Sequence, residues 1–192
     1  MTIANREALA FLLSRRSRPA RTLGLPVPSR DELLQLLTAA TRVPDHGKLE
    51  PWRFIVLTRP ATDRLARLVE QRGPALGVEP EKIAKAASQY SMADLAVVVV
   101  QVPRPTEKVP LIEQTYSAGA VCLSLLNAAT AAGWGANWLT GWPVSDPIFR
   151  AEGLGLQPGE TVAGVIHIGT PTAETPDRPR PDLSRLVTWV AA

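Results

Sequence analysis

The run from Leu95 to Val102, LAVVVVQV, most restricts how this chain can fold. Branched apolar side chains favour extended backbone, and here they follow one another, interrupted only by Gln101, instead of alternating with polar ones. Successive side chains of a strand point to opposite faces, so this strand is apolar on both and has to be buried on both. Helical patterns lie before and after it. Residues 5–16 place Ala8, Leu9, Leu12 and Leu13 at helical spacing. Ser29-Arg30-Asp31-Glu32 reads as a capping box opening a second helix, with Leu33, Leu34, Leu36, Leu37 and Ala40 as its apolar side and an end before Pro44. A third helix is predicted over 62–72, broken by Gly73-Pro74. A further one falls within 75–92, and the longest covers 111–132 and ends at Gly133. Trp52–Thr58 and Thr161–Gly169 read as strands, and Leu183–Val190 as a terminal strand. Residues 171–181 hold four prolines and can be neither helix nor central sheet. Helices preceding and flanking a few strands give an α+β class, in a single domain over residues 1–192.

Composition narrows the function. At 192 residues and 45% hydrophobic, the chain can bury one good core. The apolar run Leu95–Val100 has a strand's length and is too short to span a bilayer. Residues 8–13 are apolar, but arginines follow where a signal peptide would need small residues, so no signal peptide is expected. A single cysteine, Cys122, excludes an internal disulfide and fits a reducing cytoplasm; among apolar helical residues it reads as packing. Two histidines and that cysteine have no paired ligand spacing, so a metal site is not expected. His167, within an alternating strand, reads as a satisfied core or edge histidine. The net charge of +3 is mild but local, because Arg15, Arg16, Arg18 and Arg21 sit together. Such a cluster more often binds one phosphate group or is solvated than holds nucleic acid. A nucleic-acid module is therefore a lesser reading, which would bind any duplex in a salt-sensitive way.

Motifs then point to a ligand. The nucleophile-elbow and P-loop patterns are absent. Gly133-Trp134-Gly135 follows a helix and lacks the third glycine of a dinucleotide fingerprint, leaving a helix C-cap or a ligand contact as balanced alternatives. The stretch Val43–Trp52 packs prolines, a glycine and ionisable side chains into one connection ending in a tryptophan, more than a turn requires. Ser117-Ala118-Gly119-Ala120 makes the middle of the longest helix small enough for close approach by another element or by a partner subunit. Forked arginine contacts and glycine-rich backbone together suit a planar, phosphorylated aromatic molecule.

The ordered set Ser14-Arg15-Arg16-Ser17, Arg42-Val43-Pro44-Asp45-His46, Pro51-Trp52, Lys108-Val109-Pro110, Glu113-Gln114 with Ser117-Ala118-Gly119, Trp138 with Gly141, and Gly169-Thr170-Pro171 resembles the nitroreductase family of flavin enzymes, in a short bacterial branch. The resemblance implies a nitroreductase-like fold: a mostly antiparallel sheet flanked by helices, completed by homodimerisation, with the tail 171–192 reaching the partner subunit. It implies FMN held non-covalently between the subunits, NAD(P)H as co-substrate, and hydride passing through flavin N5 to an acceptor such as a nitroaromatic or quinone, in ping-pong order. By position, Arg15, Arg16 and Ser17 would bind the FMN phosphate and ribityl chain. Arg42 and His46 would approach FMN from the neighbouring subunit, and Trp138, Leu139 and Thr140 would lie beside the ring. Ala128, Ala129, Thr130, Ala131, Ala132 and Gly133 match a stretch assigned to the nicotinamide dinucleotide. No catalytic side chain is implied, with His46 the best candidate for a polar tuner, and neither metal, membrane nor nucleic acid is implied. Three departures bear on the site: Lys48 where the wider family carries Asn, Glu50 where the branch has Gln, and Leu139 where it has Arg. Lys48 and Glu50 read either as a solvated loop pair or, for Lys48, as a cation near the flavin pyrimidine edge. The alternatives on the same fold are a nicotinamide-independent oxidation or dehalogenation, and a flavin-binding protein that is not an enzyme.

Overall fold

The computed structural model describes residues 3–191. Its centre is the strand that the apolar run predicts, β3 (Leu95–Gln101), in which every residue is buried. β3 lies between β2 (Trp52–Thr58) and β5 (Thr161–Pro171), antiparallel to both. β5 pairs along its other edge with β4 (Gly135–Leu139) and at its end with the two-residue β1 (Leu23–Gly24), again antiparallel. The sheet is antiparallel throughout and the class is α+β.

Because side chains alternate across a strand, β3 feeds two cores. Val97 and Val99 face one side with Ile166, Ile168 and Ala136, under α2 (Arg30–Ala40) and α5 (Leu111–Ala131). Ala96, Val98 and Val100 face the other with Val165, under α3 (Arg59–Ala75), α4 (Pro80–Ser91) and a short π-helical turn, Phe149–Gly153. Burial on both faces is therefore achieved by helices on both. By contrast α1 (Arg6–Ser14) buries no residue in this chain; Leu9, Leu12 and Leu13 are all more than half exposed.

The capping box forms as the sequence implies: the Ser29 hydroxyl accepts from the Glu32 N–H and the Glu32 carboxylate accepts from the Ser29 N–H. Two expectations are corrected. The third helix does not stop at Gly73-Pro74 but runs to Ala75. Gly73 is there for space, since a Cβ would collide with Ile83 of α4, and Pro74, which has no N–H to donate, costs the last turn one hydrogen bond without ending it. The stop is Gly77 at φ +65°, with Gly77 N–H donating to the Pro74 carbonyl and Val78 N–H to that of Gly73, a Schellman closure. Leu183–Val190 is not a strand: Leu183–Arg185 makes one 3₁₀ turn capped by Asp182 and the rest is irregular and exposed. No edge of the sheet is paired with it, so its β-branched composition has nothing to extend.

The Gly133 alternatives resolve toward a cap. It closes α5 at φ +89°, donating to the Thr130 carbonyl while Trp134 N–H donates to that of Ala129. Among the described residues no helix is long and apolar enough to cross a membrane, and no three metal-ligating side chains cluster.

Candidate functional site

The arginine cluster lies where α1 ends. Arg15 leaves the helix in extended conformation, its N–H donating to the Phe11 carbonyl. Arg18 then docks on β4 as an added strand would: its N–H donates to the Ala136 carbonyl and its own carbonyl accepts from Asn137 Nδ2. This tether holds Arg15, Arg16 and Ser17 along the wall of a cavity of ≈770 Å³, a size that suits a cofactor. α4 supplies Lys85, Ser88 and Gln89, and β4 supplies Asn137 and Leu139.

A third wall was not legible in the sequence. The proline-rich tail folds back over its own chain, so that Thr175, Arg178 and Arg180 line the same cavity. It is fastened at two points: Arg16 donates to the Pro176 carbonyl through Nε and Nη2, at 3.3 and 3.0 Å, and Arg180 Nη2 donates to the Leu13 carbonyl at 2.9 Å. The signal available beforehand was the arginine pair within the proline run.

Arg15, Arg16, Arg21, Lys85, Arg178 and Arg180 all border the cavity, and among the described residues no carboxylate does. Asp177, exposed behind it, offsets part of this charge through Arg16 at 3.8 Å and Arg180 at 3.2 Å. Arg15 Nη1 is buried without any hydrogen-bond partner among the described residues. A buried, unpartnered guanidinium N–H is costly, by about 1–3 kcal/mol, and an anion in the cavity relieves both this and the mutual repulsion of the cations.

β4 divides its side chains between the two faces of the sheet. Leu139 and Asn137 pair with Val165 and His167 of β5 and point to the cavity side. Trp138 pairs with Ile166 on the α5 side, where its ring covers Gly164 and its Nε1 donates to the Ala163 carbonyl at 3.3 Å. Thr140 borders two smaller hollows, one of which shares Gln89 and Leu139 with the cavity and has His167 in its wall. His167 is buried, at 3% exposure, but it is not satisfied: its Nδ1 has no partner among the described residues, and burial pushes its pKa down to about 4. Cys122 is packed in the core as expected, its thiol pushed up to about 12 by burial.

The loaded loop, residues 43–52, is a separate structure facing α5. Asp45 accepts from the N–H groups of Leu49 and Glu50, at 3.2 and 2.8 Å. Gly47, Lys48 and Glu50 all have positive φ, at +73°, +54° and +47°. For Lys48 and Glu50 this left-handed backbone carries strain. Both side chains are exposed, and neither forms an ion pair among the described residues. His46 Nδ1 lies 2.7 Å from Glu113 Oε2 on α5. Trp52, which ends the loop, is turned inward: it packs on the α2/α5 core and its Nε1 donates to Ser117 Oγ at 3.2 Å. Arg42 is exposed. Within one chain Arg42 and His46 do not border the arginine cavity, and neither do Ala128 to Gly133, which form the last turn and cap of α5 with Ala129 fully buried.

Comparison with known proteins finds one family at the level of both sequence and fold. A model of the nitroreductase family matches residues 12–170. The chain is 34% identical over 165 residues to the protein named putative NAD(P)H nitroreductase YdjA of Escherichia coli (strain K12), covering 86% of this chain and 88% of that one. It is also 34% identical over 165 residues to a putative NAD(P)H nitroreductase of Haemophilus influenzae, covering 85% and 88%. In fold it is similar to a nitroreductase-like family protein of Bacillus cereus, with TM-score 0.77, 22% identity and coverage of 99% and 98%. A second structural neighbour, with TM-score 0.75, 21% identity and coverage of 98% and 99%, is a putative nitroreductase from Desulfovibrio desulfuricans whose structure is in complex with FMN.

Proposed function

The chain belongs to the nitroreductase family, and from that footing we propose that it is an NAD(P)H-dependent oxidoreductase that works with non-covalently held FMN and reduces a small acceptor such as a nitroaromatic or a quinone. FMN when bound supplies the redox chemistry, hydride uptake from NAD(P)H followed by reduction of the acceptor. One pocket serving donor and acceptor in turn gives ping-pong kinetics.

The observation that carries this reading is the cavity whose cations outnumber its anions and whose Arg15 Nη1 is buried with no partner. These residues fit the phosphate end of FMN. Arg15, Arg16 and Ser17 would hold that phosphate from one side, Arg178 and Arg180 would close on it from the tail, and Asn137 lies at the cavity's β4 wall. Leu139 lines the same space with an apolar side chain, which suits contact with a flat ring better than contact with a charge.

A homodimer completes the site in this reading, with Arg42 and His46 supplied by the second copy. The uncovered surfaces favour it. α1 buries nothing, and α5 leaves Leu111, Ile112, Tyr116 and Leu123 between 45% and 68% exposed. Apolar side chains concentrated on two helices call for a partner surface.

The deciding experiment is the visible spectrum of the purified protein, then anaerobic mixing with NADH and with NADPH. A yellow protein bleached by a nicotinamide and recoloured by an acceptor is expected. A yellow protein that neither nicotinamide bleaches would replace this reading with a nicotinamide-independent flavoenzyme or a flavin-binding protein. A colourless protein that takes up no FMN would end it.

A further inference from the structure

The 43–52 loop is held against the first turns of α5, beyond the bonds that Asp45 makes within it. On one flank of His46, Ser117 Oγ donates to the Pro44 carbonyl at 2.8 Å. On the other flank the grip passes through Arg104, whose Nε and Nη2 donate to the carbonyls of Leu49 and Glu50 at 3.3 and 3.2 Å. Arg104 is itself held by Gln114, a side chain only 3% exposed: Arg104 N–H donates to Gln114 Oε1 at 2.8 Å, and Gln114 Nε2 returns a bond to the Arg104 carbonyl at 3.0 Å. The positive-φ turn at Lys48 and Glu50 is thereby fixed from outside. Both backbone flanks of His46 are thus tied to α5, and Glu113 makes the imidazole's one hydrogen bond among the described residues.

A carboxylate only accepts, so the imidazole nitrogen facing it carries the proton. We propose that Glu113 is a positioning residue for His46: it fixes the imidazole as the Nδ1–H tautomer and so leaves Nε2 as the free polar atom presented by the loop. An exposed ion pair adds little stability, and these side chains are 58% and 44% exposed, so the consequence of the contact is orientation. A neutral ring held this way offers an acceptor at Nε2. That His46 then meets FMN across the subunit interface rests on the function proposed above; the tautomer does not.

The chain has only two histidines, so the imidazole nitrogens are readily assigned by ¹⁵N NMR in the flavin-free protein. In wild type, His46 is expected to be protonated at Nδ1 when neutral. In Glu113→Ala, at an exposed helix position that tolerates alanine, it should revert to the Nε2–H form that exposed histidines favour in water. Glu113→Gln keeps an acceptor oxygen and should restore the wild-type tautomer. An Nε2–H ring in wild type, or one indifferent to Glu113→Ala, would overturn the proposal.

FMN titration separates this from the flavin reading. His46→Ala and Glu113→Ala should each weaken FMN binding about 5- to 10-fold, and the double variant should lose no more than either alone. Additive losses would mean that Glu113 acts independently of His46, and would overturn positioning. Affinity unchanged in both, with the tautomer switching as expected, would instead remove His46 from the flavin site and leave the pair as loop structure alone.

Discussion

Arg72 of α3 holds Asp146 in a two-pronged contact, Nε to Oδ2 at 2.7 Å and Nη2 to Oδ1 at 3.1 Å, and the Asp146 side chain is only 1% exposed. The same carboxylate accepts from the N–H groups of Ile148 and Phe149, so it joins α3 to the start of the helical segment that carries the buried Phe149. The Arg72 guanidinium holds the Asp146 carboxyl below its ordinary range, helped by those two N–H groups.

Arg72→Ala would leave that carboxylate buried without its cation. A clear loss in unfolding free energy is expected, since the Asp146 side chain is 1% exposed and removing its cation strands it. Urea denaturation of Arg72→Ala, Asp146→Ala and the double variant tests this. The double variant should lose clearly less than the sum of the single losses.

His167 makes stability depend on pH in a different window. Its folded pKa, about 4, lies below the ordinary histidine value near 6.5, so between these the unfolded chain binds the proton more readily. Stability should therefore fall as pH drops from 6.5 toward 4, by up to about 3 kcal/mol from this residue. Denaturant midpoints across that range measure it. His167→Leu, which cannot titrate, should flatten the slope there. The contribution of Asp146 is present above the unfolded value near 4 and is lost only below it, as its depressed folded pKa is passed.

The cavity's two arginine sets should act on one ligand group. Arg15→Ala and Arg178→Ala are each expected to weaken FMN binding about 10- to 100-fold, as charge-assisted bonds to a phosphate require. Riboflavin, which has no phosphate, should bind both variants and wild type about equally. Fluorescence-quenching titrations with the two flavins make the comparison; equal losses for FMN and riboflavin would place the arginines away from the phosphate.

Gly169→Ala should detach β1. A Cβ there would lie 2.8 Å from the backbone oxygen of Gly24, which cannot swing aside as a side chain could. Since β1 follows directly from the arginine segment, this substitution at a distance should also weaken FMN binding. Hydrogen exchange at residues 22–24, set beside the FMN titration, tests the link.

Much of this architecture was legible in the sequence because local chemistry determined it. The Ser29–Glu32 cap, the doubly buried β3 and the Gly133 closure each follow from a few neighbouring residues. The errors fall where distant contacts decide. Gly73 reads as a helix breaker until Ile83 of another helix lies against it, and the Leu183–Val190 run reads as a strand until no sheet edge pairs with it. The site divides in the same way. Arg15, Arg16, Ser17 and Leu139, singled out in the sequence, line one cavity, whereas Arg178, Arg180 and Lys85 join it only through folding. Trp52, at the end of the loop that the sequence singles out, anchors that loop to Ser117.

The fastening of Arg180 to Leu13 and of Arg16 to Pro176 joins segments some 160 residues apart over one cavity. Residues 172–182, exposed but for Thr175, are an open target for a protease. A single cut there would leave the antiparallel sheet and its helices whole while discarding a share of the guanidinium groups. Digestion should thus yield a well-folded fragment unable to retain flavin, and saturating FMN should shield those same peptide bonds from cleavage.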